Sequence, residues 1–381
     1  MNIKKIAIGL GGTDLGRSGI GRYVRSVLPG LLDELRGRGI ELVAIGTQAE
    51  LDAYRNDLRG VTQFRLADVF ESPVASAFYY LAFVGRTAKR LGANVLLLPA
   101  ANRRGPLWSG IPTVGVVHDF AQGHIAYKYD PARMFYARHV LTSILRSQTR
   151  LIAVSRATKA DVEHGIGVAA DVRVVPAGVD IARFAPVSGG VAEQLRTDYG
   201  LEREYILYLS RLELPAKNHL RLLKAFQRSR LGETHDLVIA GEDCGGAAAI
   251  RREIGALGLE NVKLLGYIPD ERVPALVGAA DVVTMMGLRE GFGLPVLEAL
   301  ASGRPVVASR TGAIPEVAGS LGVLCDPLNV GAISDALTRA VEDDEYRGHV
   351  ERNARLYASR WQWRSTSRAL ADQCVAVGAV A

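Results

Sequence analysis

Two glutamates flank a glycine-rich loop in the segment E-G-F-G-L-P-V-L-E, residues 290–298. An apolar run that predicts a strand ends near Met286, and Pro295 stands where the first turn of a helix is expected. A glycine loop that leads into a helix presents backbone N–H groups and a partial positive charge, which suit a diphosphate. Because two carboxylates would repel phosphates, Glu290 and Glu298 are expected to bind hydroxyl groups of a sugar or a ribose.

Two cations follow another predicted strand, in the segment S-R-L-E-L-P-A-K-N, residues 210–218. Arg211 and Lys217 would lie on the exit loop of this strand, where positive charge offsets the charge that grows on a departing diphosphate. Either residue alone could be a solvated surface cation. Their combination at one strand end favours phosphate binding without a metal, since no DxD-type acidic cluster indicates a divalent ion.

Two segments of the first half also follow predicted strands. Gly11 and Gly12 precede R-S-G-I-G-R-Y, in which Gly19 could bring backbone amides close to a phosphate. His118 and Asp119 end a run of valines, and this histidine could hydrogen-bond a sugar hydroxyl or transfer a proton. An ordinary strand-to-helix turn and a core histidine with a capping aspartate are the alternatives.

Short apolar runs alternate with amphipathic stretches along the whole chain, a pattern typical of βα units on parallel sheets. The predicted strands of the first half are 5–10, 41–46, 61–66, 94–99, 113–118, 150–155 and 172–176. Those of the second half are 205–210, 237–241, 262–266, 281–285, 305–309 and 322–326. Each half therefore closes a sheet of its own.

The length of 381 residues suits two domains. A polar segment with Pro186, Gly189 and Gly190 predicts the linker, so we expect domains at 1–185 and 186–360. Two doubly wound α/β domains would face each other across a crevice, with ligands at the carboxyl ends of their strands. The last segment, 361–381, is predicted to be a helix that returns to the first domain.

The composition narrows the classes of protein. The longest apolar runs fall short of the roughly 20 residues of a membrane helix, and residues 1–12 suggest a first strand rather than a signal peptide. Three cysteines without a CxxC pair favour a reducing, cytoplasmic setting. The net charge of +6 fits an anionic ligand or membrane surface better than nucleic acid, since no nucleic-acid-binding motif is present.

A basic helix predicted from about residue 21 could touch the inner face of an anionic membrane. It carries Arg22, Arg25, Arg36 and Arg38 among leucines and valines. A solvated basic face is the alternative interpretation.

The E-x7-E element resembles the retaining glycosyltransferases of family four, which have the GT-B architecture. The S-G-I-G-R-Y element, the N-R-R segment after Pro99 and the V-V-H-D element look most like bacterial mannosyltransferases of that family. The resemblance implies that Glu290 contacts the donor sugar and that Glu298 holds the nucleotide ribose. It implies donor binding by the backbone of Gly291, Phe292, Gly293 and Leu294, and by Gly19. It also assigns the donor phosphates to Arg211 and Lys217 and the donor sugar to His118. Tyr267 is expected to frame the base, and Ser18 departs from the second glycine of many members.

The resemblance also implies a function. It predicts metal-independent transfer of a hexose, mannose from GDP-mannose being the first choice, to a saccharide or lipid-linked acceptor in lipopolysaccharide or other cell-surface polysaccharide synthesis. A UDP-sugar-dependent enzyme with a small-molecule or antibiotic acceptor is the alternative. A non-hydrolysing nucleotide-sugar epimerase and a catalytically inactive binding protein stay open as other classes. The acceptor is not specified by the sequence, because residues 47–91 carry no motif.

Overall fold

The computed structural model describes residues 3–120, 136–167 and 171–380. The chain divides into two compact units, of which unit 1 is Met1–Gly178 with Gln362–Ala381 and unit 2 is Val179–Trp361. Among the described residues, no helix has the length and apolar character that crossing a membrane requires.

Unit 1 is built on a seven-stranded parallel sheet with the order β3-β2-β1-β4-β5-β6-β7. Its strands are β1 (Lys5–Gly9), β2 (Glu41–Gly46), β3 (Thr62–Arg65), β4 (Val95–Leu98), β5 (Thr113–Val117), β6 (Arg150–Ala153) and β7 (Val172–Val174). Its first helices are α1 (Gly19–Gly37), α2 (Gln48–Ala53), α3 (Pro73–Ala82), α4 (Val84–Arg90), α5 (Thr142–Arg146) and α6 (Arg156–Ile166).

Unit 2 is built on a six-stranded parallel sheet with the order β10-β9-β8-β11-β12-β13. Its strands are β8 (Glu204–Leu209), β9 (His235–Ala240), β10 (Val262–Gly266), β11 (Val282–Met285), β12 (Val306–Ser309) and β13 (Gly322–Cys325). Its helices are α7 (Gly189–Tyr199), α8 (His219–Ser229), α9 (Ala247–Ala256), α10 (Val273–Ala279), α11 (Leu294–Ala301), α12 (Ile314–Ala318), α13 (Val330–Glu342) and α14 (Asp344–Ala358).

The predicted fold class, two doubly wound parallel sheets, is confirmed. Every strand predicted from an apolar run is present, with ends that differ by a residue or two. Most of the runs could be recognised because the strands are buried on both faces, so that successive residues such as Ile6, Ala7 and Ile8 are all buried, whereas β3 is exposed along its length.

The C-terminal helix α15 (Trp363–Val380) is grouped with unit 1. Its Ser367 hydroxyl donates a hydrogen bond of 2.9 Å to the Val27 carbonyl of α1. Ser367 also lies so close to Gly30 that a Cβ at this glycine would come within 2.7 Å of its oxygen. The two helices therefore pack at short distance.

The division between the units falls after Gly178, whereas the sequence suggests a linker around Pro186. Arg355 of α14 explains the difference, because its guanidinium donates hydrogen bonds of 3.0 and 3.2 Å to the carbonyls of Ile181 and Phe184. The segment before Pro186 is thus held by a helix of unit 2.

Each sheet has one place where the strand order reverses. In unit 2 the chain builds β9 and β10 on one side of β8 and β11 to β13 on the other. In unit 1 the same reversal lies between β1 and β4. The loops that leave these neighbouring strands diverge, which opens a crevice at their carboxyl ends in folds of this type.

Candidate active site

The glycine loop of unit 2 runs from the end of β11 into α11. Gly293 caps this helix with φ of 100°, and a Cβ at this position would lie 2.5 Å from the Ile314 side chain. Pro295 lies in the first turn of α11, as the sequence predicts. The left-handed glycine and the proline together end the loop and start the helix abruptly, so that its first backbone amides are directed towards the loop.

Lys217 and Glu290 meet at the reversal point of unit 2. The Lys217 Nζ lies 2.8 Å from the Glu290 Oε1, and the two side chains are only 18% and 13% exposed. The Leu288 amide also donates to the Ala216 carbonyl at 2.9 Å. The loops that follow β8 and β11 are therefore joined by an ion pair and a backbone hydrogen bond.

The backbone of Lys217 is held from two sides. The Tyr208 hydroxyl donates a 2.5 Å hydrogen bond to the Lys217 carbonyl. The next residue, Asn218, is buried in a left-handed conformation and donates to the Pro327 carbonyl at 2.7 Å. This support leaves the lysine little freedom apart from its own side-chain torsions.

Arg211 lies on the same loop but is more exposed. Its guanidinium forms a 3.0 Å ion pair with Glu213, and its carbonyl accepts a 3.0 Å hydrogen bond from His219 Nε2. The His219 ring is buried, and burial lowers its pKa, so this histidine acts as a neutral donor that fixes the loop. The structure thus places the second predicted cation on the loop that carries Lys217.

Three further predicted donor-binding residues of unit 2 differ in their burial. Glu298 lies in α11 and is 2% exposed. The Phe292 ring packs edge-on against Trp361 with a centroid separation of 5.6 Å, which fixes the loop from the side. Tyr267 is exposed and follows β10, which β9 separates from β8.

The glycine loop of unit 1 makes very close contacts. The Gly11 amide donates a 2.6 Å hydrogen bond to the Tyr80 hydroxyl, and a Cβ at Gly11 would lie 2.2 Å from the Tyr80 ring. A Cβ at Gly21 would lie 2.4 Å from the backbone of Gly16. By contrast, a Cβ at Gly19 would meet nothing within 4 Å. A side chain at position 11 or 21 would therefore clash with neighbouring atoms, whereas a Cβ at position 19 would meet open space.

Ser18, which departs from the family pattern, has a local role. It is the N-cap of α1, and its hydroxyl accepts a 3.3 Å hydrogen bond from the Gly21 amide. A serine at an N-cap satisfies one of the backbone donors that a helix start leaves over. The departure thus stabilises the start of α1.

His118 lies at the end of β5, as the sequence predicts, and is partly buried. Its Nε2 donates a 2.7 Å hydrogen bond to the Pro99 carbonyl, and its ring stands edge-on to the Tyr23 ring at 4.7 Å. Burial lowers the pKa of the imidazole to about 4, against the smaller opposing effect of the Pro99 carbonyl. The ring is therefore neutral at pH 7, with Nδ1 as an acceptor.

We expect the His118 ring to show no protonation step between pH 8 and pH 5.5 in a titration followed by NMR. Because the folded-state pKa lies below that of the unfolded chain, the stability that this histidine contributes is complete above about pH 6.5 and declines towards pH 4. Comparison with His118→Gln identifies the signal. A midpoint near 6.5 would contradict the neutral assignment.

Two glycines that the sequence analysis did not single out shape the position of Glu290. A Cβ at Gly287 would lie 2.1 Å from the Glu290 Oε1, and a Cβ at Gly312 would lie 2.3 Å from the Glu290 carbonyl oxygen. Gly312 has a φ of 57°, and the Ala313 amide beside it donates to the same carbonyl at 3.0 Å. Their only sequence signal is that each glycine follows a strand end, one residue past Met286 in the first case.

Within 3–120, 136–167 and 171–380, no group of three or more His, Cys, Asp or Glu side chains is arranged to hold a metal ion.

Two family models match the chain. The model described as Glycosyltransferase Family 4 matches residues 17–183, and the model described as Glycosyl transferases group 1 matches residues 193–357. Together they cover most of both units.

Curated relatives share about a third of the aligned residues. The O-antigen chain mannosyltransferase B of Escherichia coli is 30% identical over 62% of this chain and 63% of its own length. A GDP-mannose-dependent alpha-(1-6)-phosphatidylinositol monomannoside mannosyltransferase of Mycolicibacterium smegmatis is 34% identical over 62% of this chain and 64% of its own length. The chain thus spans less than two thirds of these relatives.

Solved structures agree over nearly the full length. HepE of Anabaena, in complex with UDP and glucose, has a TM-score of 0.76 and 21% identity, with 97% of this chain and 99% of that chain covered. At this identity the likeness concerns the fold.

Proposed function

We propose, since the chain belongs to the family-four glycosyltransferases with the GT-B fold, that it transfers a hexose from a nucleotide diphosphate donor with retention of configuration. The observation that carries the proposal is the pairing of Lys217 with Glu290 at the reversal point of the unit 2 sheet. A cation suited to phosphate and a carboxylate suited to sugar hydroxyls are thereby held side by side, next to the glycine loop and the start of α11.

The reaction places its charges where these groups lie. The bond between the anomeric carbon and the phosphate oxygen breaks, so negative charge grows on the diphosphate. Lys217, Arg211 and the backbone amides at the start of α11 stabilise that charge. The acceptor oxygen forms its bond on the same face of the sugar and gives its proton to the departing phosphate oxygen. Glu290 is suited to bind a donor hydroxyl, and the neutral His118 can accept a hydrogen bond from a sugar hydroxyl through Nδ1.

GDP-mannose is the proposed donor, and mannose is the hexose that is transferred. The support is that relatives carry mannosyltransferase names, one of them with GDP-mannose in its name. The proposed acceptor is a saccharide or lipid-linked saccharide of a cell-surface polysaccharide, in keeping with the O-antigen relative. A UDP-sugar is the second candidate, because the structural neighbour HepE is a complex with UDP and glucose.

Thermal stabilisation by nucleotides tests the donor. GDP at a hundredfold excess over its Kd is expected to raise the melting temperature by roughly 5–10 °C, while UDP has a smaller effect. Free mannose serves as the control and should leave the melting temperature unchanged. A larger shift with UDP would transfer the proposal to a UDP-sugar, and no shift with either nucleotide would overturn it.

The stereochemical course has its own test. NMR of the product formed from GDP-mannose should show the anomeric configuration of the donor. An inverted anomeric centre would exclude the same-face reaction, and formation of an epimerised nucleotide sugar without an acceptor would favour an epimerase.

A further inference from the structure

An apolar patch is exposed on unit 1. It consists of Val74 and Phe78 on α3, Phe83 between α3 and α4, and Leu107 and Trp108 in the loop after β4. Val74, Phe78 and Trp108 are 79%, 58% and 64% exposed. Such large apolar side chains gathered at one place indicate an interaction surface rather than chance exposure.

The two segments that carry the apolar patch form one surface. The Phe78 and Phe83 rings stand edge to face, with centroids 5.6 Å apart. The Leu107 amide donates a 3.2 Å hydrogen bond to the Leu81 carbonyl at the end of α3. A Cβ at Gly85 of α4 would lie 2.3 Å from the Ser109 Cα, so the loop after β4 lies directly against the start of α4.

The charge around the apolar patch has a single sign over a long stretch of sequence. Residues 72–118 contain five Arg and Lys residues and no Asp or Glu. Arg86, Lys89 and Arg90 share the exposed face of α4, opposite the buried Val84 and Ala88. Exposed aromatic rings that are followed along the chain by exposed cations complement an anionic lipid surface, where the rings enter the headgroup region and the cations meet lipid phosphates.

The helix α1, which the sequence suggested for membrane contact, uses its arginines within the protein. Arg25 donates to the Ala53 carbonyl and Arg36 to the Arg59 carbonyl. Arg38 forms ion pairs of 3.1 and 2.7 Å with Glu34 and Asp372. These contacts favour the α3–α4 segment as the membrane-facing element.

The same segment reaches the candidate site. Tyr80 lies on the buried side of α3, and its hydroxyl accepts the hydrogen bond from the Gly11 amide in the glycine loop. We propose that the apolar patch and the α4 cations Arg86, Lys89 and Arg90 seat unit 1 on an anionic lipid bilayer, with the glycine loop held beside the lipid surface. The suggestion that this contact serves to present a lipid-linked acceptor rests on the proposed function. The contact with the bilayer does not depend on that function.

Vesicle co-sedimentation of the full chain tests the proposal. We expect binding to vesicles of phosphatidylglycerol and phosphatidylcholine, and little binding to phosphatidylcholine alone. Phe78→Ser with Trp108→Ser should weaken binding about tenfold or more, because apolar area is no longer transferred from water. Each glutamine substituted for Arg86, Lys89 or Arg90 should weaken it about fivefold. Trp108 fluorescence should shift to the blue on binding and lose this shift in Trp108→Phe.

The matched control is the pair Leu328→Ser and Leu356→Ser, two exposed leucines of unit 2. It should bind vesicles like the parent chain. Melting temperature and nucleotide-sugar binding verify that each variant is folded. Equal vesicle binding by the parent chain and the patch variants would overturn the proposal. Self-association of the parent chain that Phe78→Ser with Trp108→Ser abolishes would also overturn it, because the apolar patch would then contact a second copy. Failure of nucleotide-sugar binding would affect the proposed function alone.

Discussion

Replacing Lys217 by alanine is expected to lower kcat/KM for sugar transfer about a hundredfold to a thousandfold. The reason is electrostatic, because removal of a fixed donor that faces developing negative charge typically costs about 3–4 kcal/mol of transition-state stabilisation. Lys217 is 18% exposed, the Tyr208 hydroxyl binds its carbonyl and the next residue, Asn218, is bound to the Pro327 carbonyl, so water cannot easily replace its charge. The measurement is steady-state release of the nucleoside diphosphate with donor and acceptor present.

Two variants make this experiment specific. Lys224→Ala removes a lysine from the neighbouring helix α8, where it pairs with Glu253 at 3.3 Å and is 52% exposed, and should leave kcat/KM unchanged. Lys217→Arg keeps the charge in a longer, planar group and should recover only part of the loss. If Lys217→Ala retained the parent rate while Glu290→Gln lost it, the phosphate-stabilising role of the lysine would be wrong.

The strands could be predicted from the sequence more completely than the contacts within the site. Burial leaves a local pattern in the sequence, whereas contacts between distant residues do not. A strand covered by helices on both faces must be apolar along its whole length, which a single sequence records directly. Lys217 and Glu290, in contrast, are 73 residues apart and meet only because β8 and β11 are neighbours in the sheet. That adjacency is a property of topology, and local patterns do not contain it.

The sequence also does not show which glycines are sterically required. Gly19 was singled out because it stands within a glycine-rich motif, yet a side chain there would meet open space. Gly287 stands alone in the sequence but lies against the Glu290 carboxylate. A position can require glycine because its φ is positive, because another group approaches closely, or for neither reason. Only the backbone conformation and the neighbouring atoms show which applies.

Gly287 gives the second large expected effect. In Gly287→Ala the added Cβ would lie 2.1 Å from the Glu290 Oε1 and 3.0 Å from its Cδ, so the carboxylate must leave its place beside Lys217. Displacement of a substrate-positioning group by about 1 Å can cost about a hundredfold in rate. We therefore expect kcat/KM to fall roughly tenfold to a hundredfold, and binding of the nucleotide sugar to weaken. Binding of the nucleoside diphosphate should persist, because Glu290 is proposed to contact the sugar.

A double-mutant cycle separates positioning from a general structural defect. If Gly287 acts through the carboxylate, adding Gly287→Ala to Glu290→Ala should cause no further loss of kcat/KM, since the group that clashes is already absent. Gly255→Ala in α9 is the matched control: its Cβ would meet nothing within 4 Å, so the change should leave activity intact. Additive losses in the cycle, or a lower affinity for the nucleoside diphosphate in Gly287→Ala, would show that the glycine serves the loop backbone instead of Glu290.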